Sequence, residues 1–354
     1  MSNPPDSRPI VGCLLGTAVG DALGLPYEGL SPRRAARLLG PPERYRLLGR
    51  WGLVSDDTEH SCLVAQALIA SADDPVRFGR ALAWGLRLWF LGLPAGIGWA
   101  TLRAIVKLWI GIPSDRSGVH SAGNGPAMRA AIIGVAVPDP LALRAFVRAS
   151  SRLTHTDPRA EQGAFAIALA ARLAAGGETV APDVYLDALR SALGPEAEAL
   201  TGLVARVAES ANRGETTEGF AASLGLAKGV SGYVLHSVPV ALHAWFAHPH
   251  DFRAAVGAVI RCGGDTDTMA AMVGGILGAA LGPDGIPAEW RRDLRDWPRS
   301  VGWMERLGEQ LARCRATGTT ERPLRLPLFG VLLRNGVFLL IVFTHGLRRL
   351  LPPY

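Results

Sequence analysis

Seven glycines set four residues apart constrain this chain more than any other feature. Gly12, Gly16, Gly20 and Gly24 recur in one apolar stretch near the N-terminus, and Gly274, Gly278 and Gly282 recur in another near the C-terminus. A glycine inside a helix costs about 1 kcal/mol against alanine, so the repetition asks for a compensating gain. Residues four apart form one ridge of a helix, and a ridge without side chains lets a second backbone approach closely. The pattern therefore predicts two helices packed side by side, so that whatever sits at their N-terminal edges can meet. A membrane-type seam of small residues is the competing reading. Against it, Asp21 interrupts the first stretch, and neither stretch approaches the roughly 20 apolar residues that span a bilayer.

Most of the remaining sequence also reads as helical. Apolar residues recur with helical spacing in "DPVRFGRALAWGLRLWF", "LALRAFVRASSRL", "EQGAFAIALAARLAA", "PDVYLDALRSAL" and "EAEALTGLVARVAES", while alternating β-branched runs are scarce. Gly, Pro, Asp and Ser punctuate their ends. The expected fold class is all-α, with about a dozen short helices. "GPPERYRLLGRWGL" and "GIPSDRSGVHSAGNG" are too rich in Gly and Pro for core helices and read as loops, where sites tend to sit.

With 354 residues, 49% of them hydrophobic, the chain can bury a sizeable core. The net charge of +6 is concentrated at one end: residues 322–354 carry five Arg and no acid, which leaves 32 basic against 31 acidic residues in the body. A polyanion-binding surface on the body is therefore not supported. Cys13, Cys62, Cys262 and Cys314 lack metal-site or disulfide spacing and read as buried reduced thiols. The opening "MSNPPDSRPI" has no basic n-region of a signal peptide, and the expected location is cytoplasmic.

The chemistry concentrates at helix starts. "SDDTEHSCLVAQAL" places Ser55, Asp56 and Asp57 before an apolar run, and "GGDTDTMAAMVGG" places Asp265, Asp267 and Thr268 before another. One Asp at such a position is an ordinary N-cap, worth about 1 kcal/mol. Only one side chain can be the cap, however, and a second carboxylate beside it is repelled. If the two starts converge, four aspartates, joined by Glu28, cannot all ionise unless a cation sits among them. The donors on offer are all oxygen, so the cation should be hard: Mg²⁺, Mn²⁺ or Ca²⁺. Two such ions would balance the four aspartates. The Gly263–Gly264 pair gives the turn freedom to aim both following carboxylates inward.

Taken together, "GCLLGTAVGDALGLPYEG", "SDDTEHSCLVAQAL", "SAGNGPAMRAAIIG", "LTHTDPRAEQGA" and "GGDTDTMAAMVGGILGAALG" resemble the ADP-ribosylglycohydrolase family, in the family's order and across Gly12 to Gly282. The resemblance implies an orthogonal all-α bundle with two Mg²⁺ ions, or Mn²⁺ in their place, at the bottom of an ADP-ribose cleft. It implies Ser55, Asp56, Asp57, Asp265, Asp267 and Thr268 as metal ligands, with Glu28, Asp56 and Asp267 as the residues that act in catalysis. It further implies that Ser121, Gly123 and Asn124 contact phosphate and ribose, that His155 lines the cleft, and that Gly98 approaches the substrate. Ser55 stands where many members have Thr, and Ala122 where some have an aromatic residue. The implied reaction is hydrolysis of an N- or O-glycosidic bond between ADP-ribose and an acceptor, either a protein side chain or a small conjugate. A non-catalytic member of the same fold is the alternative. A divalent-metal phosphohydrolase would share the acidic centre but does not account for "SAGNG" and "LTH" together.

Some residues keep two readings. Arg129 could reach a phosphate or cap its own helix. Tyr233 and His236 fit either the cleft or ordinary packing, and Asp21 could orient a ligand or a helix end. The expected organisation is a body over residues 1–315, a linker over 316–326 and a tail over 327–354, outside the resemblance. The tail's uninterrupted apolar run, Gly336 to Phe343, is eight residues and too short to span a bilayer. An amphipathic basic helix there could pack back on the body, lie on an anionic membrane surface or dock on a partner.

Overall fold

The computed structural model describes residues 6–352. Eighteen α-helices are found among them, with no strands beyond isolated backbone bridges. Nine helices bear on the site: α1 (Arg8–Gly24), α2 (Asp56–Ser71), α3 (Pro75–Leu91), α4 (Trp99–Trp109), α5 (Pro158–Ala174), α6 (Val234–Ala247), α7 (Thr266–Leu281), α8 (Val301–Thr317) and α9 (Leu328–Arg348). All five periodic segments read from the sequence are helices, and the two Gly- and Pro-rich segments are non-helical over nearly their whole length. The excess over a dozen comes from pieces such as Gly125–Met128, Ala131–Ala136 and Ala288–Asp293. These are one or two turns long, too short to carry a periodic signal.

α1 and α7 form the centre, and the glycines explain how. A Cβ added to Gly12 would lie 2.1 Å from the carbonyl oxygen of Gly278; at Gly16 it would lie 2.0 Å from that of Gly274, and at Gly20 2.0 Å from that of Ala270. Residue numbers rise along one helix as they fall along the other, so the pair is antiparallel. Two N-terminal edges therefore do not meet, contrary to the simplest sequence reading. The C-terminal edge of α1 meets the N-terminal edge of α7. Gly282 departs from the ridge pattern: it ends α7 in the left-handed conformation, at φ 68°, which a residue without Cβ adopts freely.

Around this pair α1 packs against α2 and α8, while α7 packs against α5 and α6. Every residue of α1 from Ile10 to Gly24 is buried. By length and composition the segment Arg8–Tyr27 could cross a membrane, as could Leu328–Arg348, which corrects the sequence reading that both were too short. The first is a core helix, since its apolar stretch from Ile10 onward is entirely buried. The second is a continuous helix because Arg334 and Asn335, read as interruptions, are both satisfied by the body: Arg334 pairs with Asp296 and Glu59, and the Asn335 amide donates to the Gly92 carbonyl.

α9 lies against the body on one face only. Arg334, Asn335 and Phe338 are buried, whereas Phe329, Leu333, Leu340 and Phe343 are exposed. Of the three placements anticipated for the tail, packing back onto the body describes the inner face. All four cysteines are buried free thiols.

Candidate active site

The start of α2 is held by a group from another helix. Asp21, buried in α1, accepts hydrogen bonds from the backbone N–H of Ser55 at 2.9 Å and of Thr58 at 3.2 Å, and from the Thr58 hydroxyl. Asp21 is thus the cap of α2, and of its two sequence readings the helix end is the one realised. Burial pushes its carboxyl up to about 6, opposed by these hydrogen bonds. Ser55, in the N-cap position, makes no capping bond of its own. Because Asp21 satisfies the orphan N–H groups, Ser55, Asp56 and Asp57 are left for other work.

The start of α7 is placed by glycine. Gly263 and Gly264 have φ of 68° and 82°, the left-handed region that other residues avoid. A Cβ on Gly264 would lie 2.0 Å from the Val230 carbonyl oxygen, so this turn accepts no larger residue. Gly264 also exchanges backbone hydrogen bonds with Gly29 and Leu30 at 2.7 and 2.9 Å. Those bonds bring Glu28, just past α1, beside the aspartates. Carboxylate oxygens of Glu28, Asp265 and Asp267 lie within 4.8 Å of one another.

The two starts converge. The Thr268 hydroxyl donates to Oδ2 of Asp57 at 3.4 Å across 211 positions of sequence, and the Ser55 hydroxyl donates to the same oxygen at 3.2 Å. Burial, followed by neighbouring carboxylates, raises Asp56, Asp57 and Asp267 well above the ordinary carboxylate range. Asp265 is raised by burial, with hydrogen bonds from Asn124 and Thr268 opposing. Glu28 touches solvent yet is enclosed by protein on most sides; desolvation and then Asp265 raise it, and Arg349 draws it back. Oδ1 of Asp57 is buried without a hydrogen-bond partner. An orphaned carboxylate oxygen amid crowded acids, with hydroxyl oxygens beside it, is a donor set that suits a hard cation.

One cavity of about 590 Å³ gathers every anticipated site residue: Glu28, Ser55, Asp56, Asp57, Gly98, Ser121, Gly123, Asn124, His155, Asp265, Asp267 and Thr268 all line it. The loop opposite the acids is built on backbone pairing. Asn124 N–H donates to the Gly232 carbonyl, and Val234 N–H to that of Ala122. The Asn124 amide donates to Asp265 Oδ2 at 2.5 Å and to the Ser237 hydroxyl at 3.1 Å, so it ties the loop to the acidic cluster. Gly98 begins α4 at the rim, where a Cβ would meet only Thr101 at 3.9 Å; no protein neighbour requires glycine there.

His155 is a buried neutral imidazole. Burial, with Arg129 adding to it, lowers its pKa to about 3. One ring nitrogen, Nδ1, pairs with the Thr154 hydroxyl at 2.9 Å, and the Nε2 edge faces Gly123, whose Cβ would approach within 3.2 Å. Arg129 does neither of the two things the sequence allowed. Fully buried, it donates to Ser150 and Thr154 and contacts His60, which makes it a brace one residue behind His155. Tyr233 and His236 pack edge to face at 5.0 Å, and Arg159 donates to the Tyr233 hydroxyl, while their neighbours Ser231 and Gly232 line the cavity.

Sequence reasoning missed the Val230–Gly232 wall, Trp99 and Thr101, and above all Phe338 and Val342 of α9. The glycines at 229 and 232 hinted at the first; the four-residue spacing of Phe338 and Val342 marks one helix face but says nothing of what that face covers.

Comparison with known proteins agrees with this arrangement. The ADP-ribosylglycohydrolase family model matches residues 1–320. An uncharacterized protein of Archaeoglobus fulgidus is 33% identical over 294 residues, covering 80% of this chain and 90% of its own. ADP-ribosylhydrolase ARH3 of Gallus gallus is 29% identical, covering 82% and 90%. The ADP-ribosyl-[dinitrogen reductase] glycohydrolase of Rhodospirillum rubrum is 26% identical, covering 83% and 92%. A solved structure described as an ADP-ribosylglycohydrolase-related protein complex superposes with a TM-score of 0.65 at 27% identity, over 87% of this chain and 98% of that one. The chain belongs to the ADP-ribosylglycohydrolase family.

Proposed function

We propose that this protein hydrolyses the glycosidic bond joining ADP-ribose to an acceptor, an ADP-ribosylated protein side chain or a small ADP-ribosyl conjugate, with two hard divalent cations, Mg²⁺ or Mn²⁺, in its acidic cluster. The observation that carries this reading is the meeting of two helix starts 211 positions apart, Thr268 on Asp57, over one cavity. Ser55, Asp56, Asp57, Asp265, Asp267 and Thr268 would hold the cations. When bound, they supply Lewis-acid polarisation of the ribose hydroxyls and of a water molecule.

The chain's own residues do the rest. Ser121, Gly123 and the backbone of the Asn124 loop bind the phosphate and ribose side of the substrate. Neutral His155 backs that loop without adding charge. Glu28, reachable from solvent and beside Asp265 and Asp267, holds the proton taken from water and returns it to the departing acceptor, as charge develops on the ribose in an oxocarbenium-like state. Asp56→Ala or Asp267→Ala is expected to remove turnover, by about 10³-fold or more, with an unchanged circular dichroism spectrum. Near-wild-type hydrolysis by either variant with magnesium present would reject the assignment.

A non-catalytic ADP-ribose binder is the second reading. Retention of every acidic ligand opposes it, and titration with ADP-ribose followed by a product assay separates the two. For the outer face of α9 we propose contact with an anionic lipid surface. Its exposed Phe329, Leu333, Leu340 and Phe343 are accompanied by exposed Arg322, Arg325 and Arg348, with no acid from residue 322 onward, the pairing that favours such surfaces. Equal sedimentation of the full chain and a chain ending at Thr320 with anionic vesicles would remove this reading.

A further inference from the structure

The family match ends at residue 320, but the cavity wall does not. Phe338 and Val342, one helical turn apart on α9, line the cavity that holds the acids. Phe338 is 3% exposed and packs with Leu25 and Leu53; Leu25 precedes Glu28 by three residues. The α9 wall therefore stands on the acidic side of the cleft.

The helix is fastened at both ends of this wall. On one side Arg334 donates to the Val54 carbonyl and pairs with Asp296, its guanidinium 4.1 Å above the Phe338 ring. On the other, Arg349 donates to the carbonyl oxygens of Glu28 at 2.7 Å and Pro26 at 2.8 Å, and His345 bonds the Pro26 carbonyl. Arg349 lies close enough to act electrostatically on Glu28 and Asp267. The buried pair of Arg334 with Asp296 is hard to break, because either partner alone is left as an uncompensated charge. Toward the cleft α9 thus offers apolar carbon and no acid, and the Arg349 guanidinium just past its end sits on the backbone of Pro26 and Glu28.

Resting on the hydrolase reading above, we infer that α9 is the acceptor-side wall of the cleft, and that it selects ADP-ribosyl conjugates whose acceptor is small, uncharged and joined through oxygen. The scissile bond must lie at the acidic cluster, so the departing acceptor lies beside Phe338 and Val342, within the electrostatic reach of Arg349 behind Glu28. An acceptor joined through a guanidinium would bring a permanent cation against apolar carbon, which cannot replace its hydration, and into the field of Arg349, which offsets the attraction of Glu28 and Asp267. A neutral hydroxyl- or acyl-linked acceptor meets neither obstacle.

The test compares serine-linked and arginine-linked ADP-ribosyl peptides on the full chain and on Phe338→Ala, Val342→Ala and Arg349→Gln, each checked for an unchanged melting profile of the body. The wild type is expected to favour the serine-linked peptide in kcat/KM by roughly tenfold or more, the scale on which one pocket group discriminates. Phe338→Ala or Val342→Ala, and separately Arg349→Gln, should narrow that ratio at least threefold while the Kd for free ADP-ribose moves less than twofold. An unchanged ratio in all three variants, or a wild type that favours the arginine-linked peptide, overturns the inference. If ADP-ribose binds but neither peptide is cleaved, the hydrolase reading has failed instead. The intact peptides can then be titrated directly, and the same ratio, read as affinities, decides whether the wall discriminates.

Discussion

α1 and α9 make an instructive pair. Both are long and apolar enough to cross a bilayer, with mean hydropathy of 1.4 and 1.8 in the most apolar 18 residues of Arg8–Tyr27 and Leu328–Arg348, yet that stretch is wholly buried in the first and only 22% buried in the second. Hydropathy therefore does not decide where an apolar helix goes. Shape and polar anchoring do. α1 carries a side-chain-free ridge that only another backbone can fill, and α7 fills it, so the stabilisation comes from many short contacts along its length. Gly336 and Gly346 in α9 face open space. α9 is held by a few polar groups, above all Arg334 and Asn335, and by Phe338 packed on Leu25 and Leu53, while its outer face is exposed.

The comparison breaks most visibly at the seam. Gly20→Ala puts a Cβ 2.0 Å from the Ala270 carbonyl oxygen, a backbone atom that cannot step aside. The expected result is loss of soluble folded protein, or a destabilisation of about 4 kcal/mol or more in denaturant titration. A smaller and local effect is expected at the anchor. Arg334→Ala leaves Asp296 without its buried partner, a loss on the order of 3 kcal/mol, felt as undocking of α9. Hydrogen exchange should rise across residues 328–348 while the body keeps its protection; uniform loss of protection would show that α9 and the body unfold together. The smallest effect has the opposite sign. Gly336→Ala meets no neighbour and should stabilise α9 by about 0.5–1 kcal/mol, seen as slower exchange in the same segment. A destabilised helix there would mean that its outer face is not open.

Much of the fold was legible because its signals are local. Helical periodicity, the glycine ridge and the doubled carboxylates each declare what one segment needs from its surroundings, and the structure supplies a partner for each. The acidic cluster was foreseeable for the same reason: a second carboxylate at a helix start has no local use. The identity of the partners was not. Asp21, read as ambiguous inside α1, caps α2. Arg129, placed near a phosphate or its own helix end, instead braces Thr154 behind His155. Neither assignment has a periodicity or spacing that could reveal it, because each depends on which helix arrives nearby.

The sequence by itself determined that two glycine-ridged helices must touch backbone to backbone and that two acidic helix starts need something beyond capping, since steric demand and like-charge repulsion are written in adjacent residues. The tertiary structure alone decided that the ridge pairs antiparallel, that Asp21 releases Ser55, Asp56 and Asp57 from the start of α2, and that a tail outside the family match walls the cleft. Those outcomes turn on how buried donors, acceptors and charges are shared among segments far apart in the chain, and that allocation exists only once the segments have met.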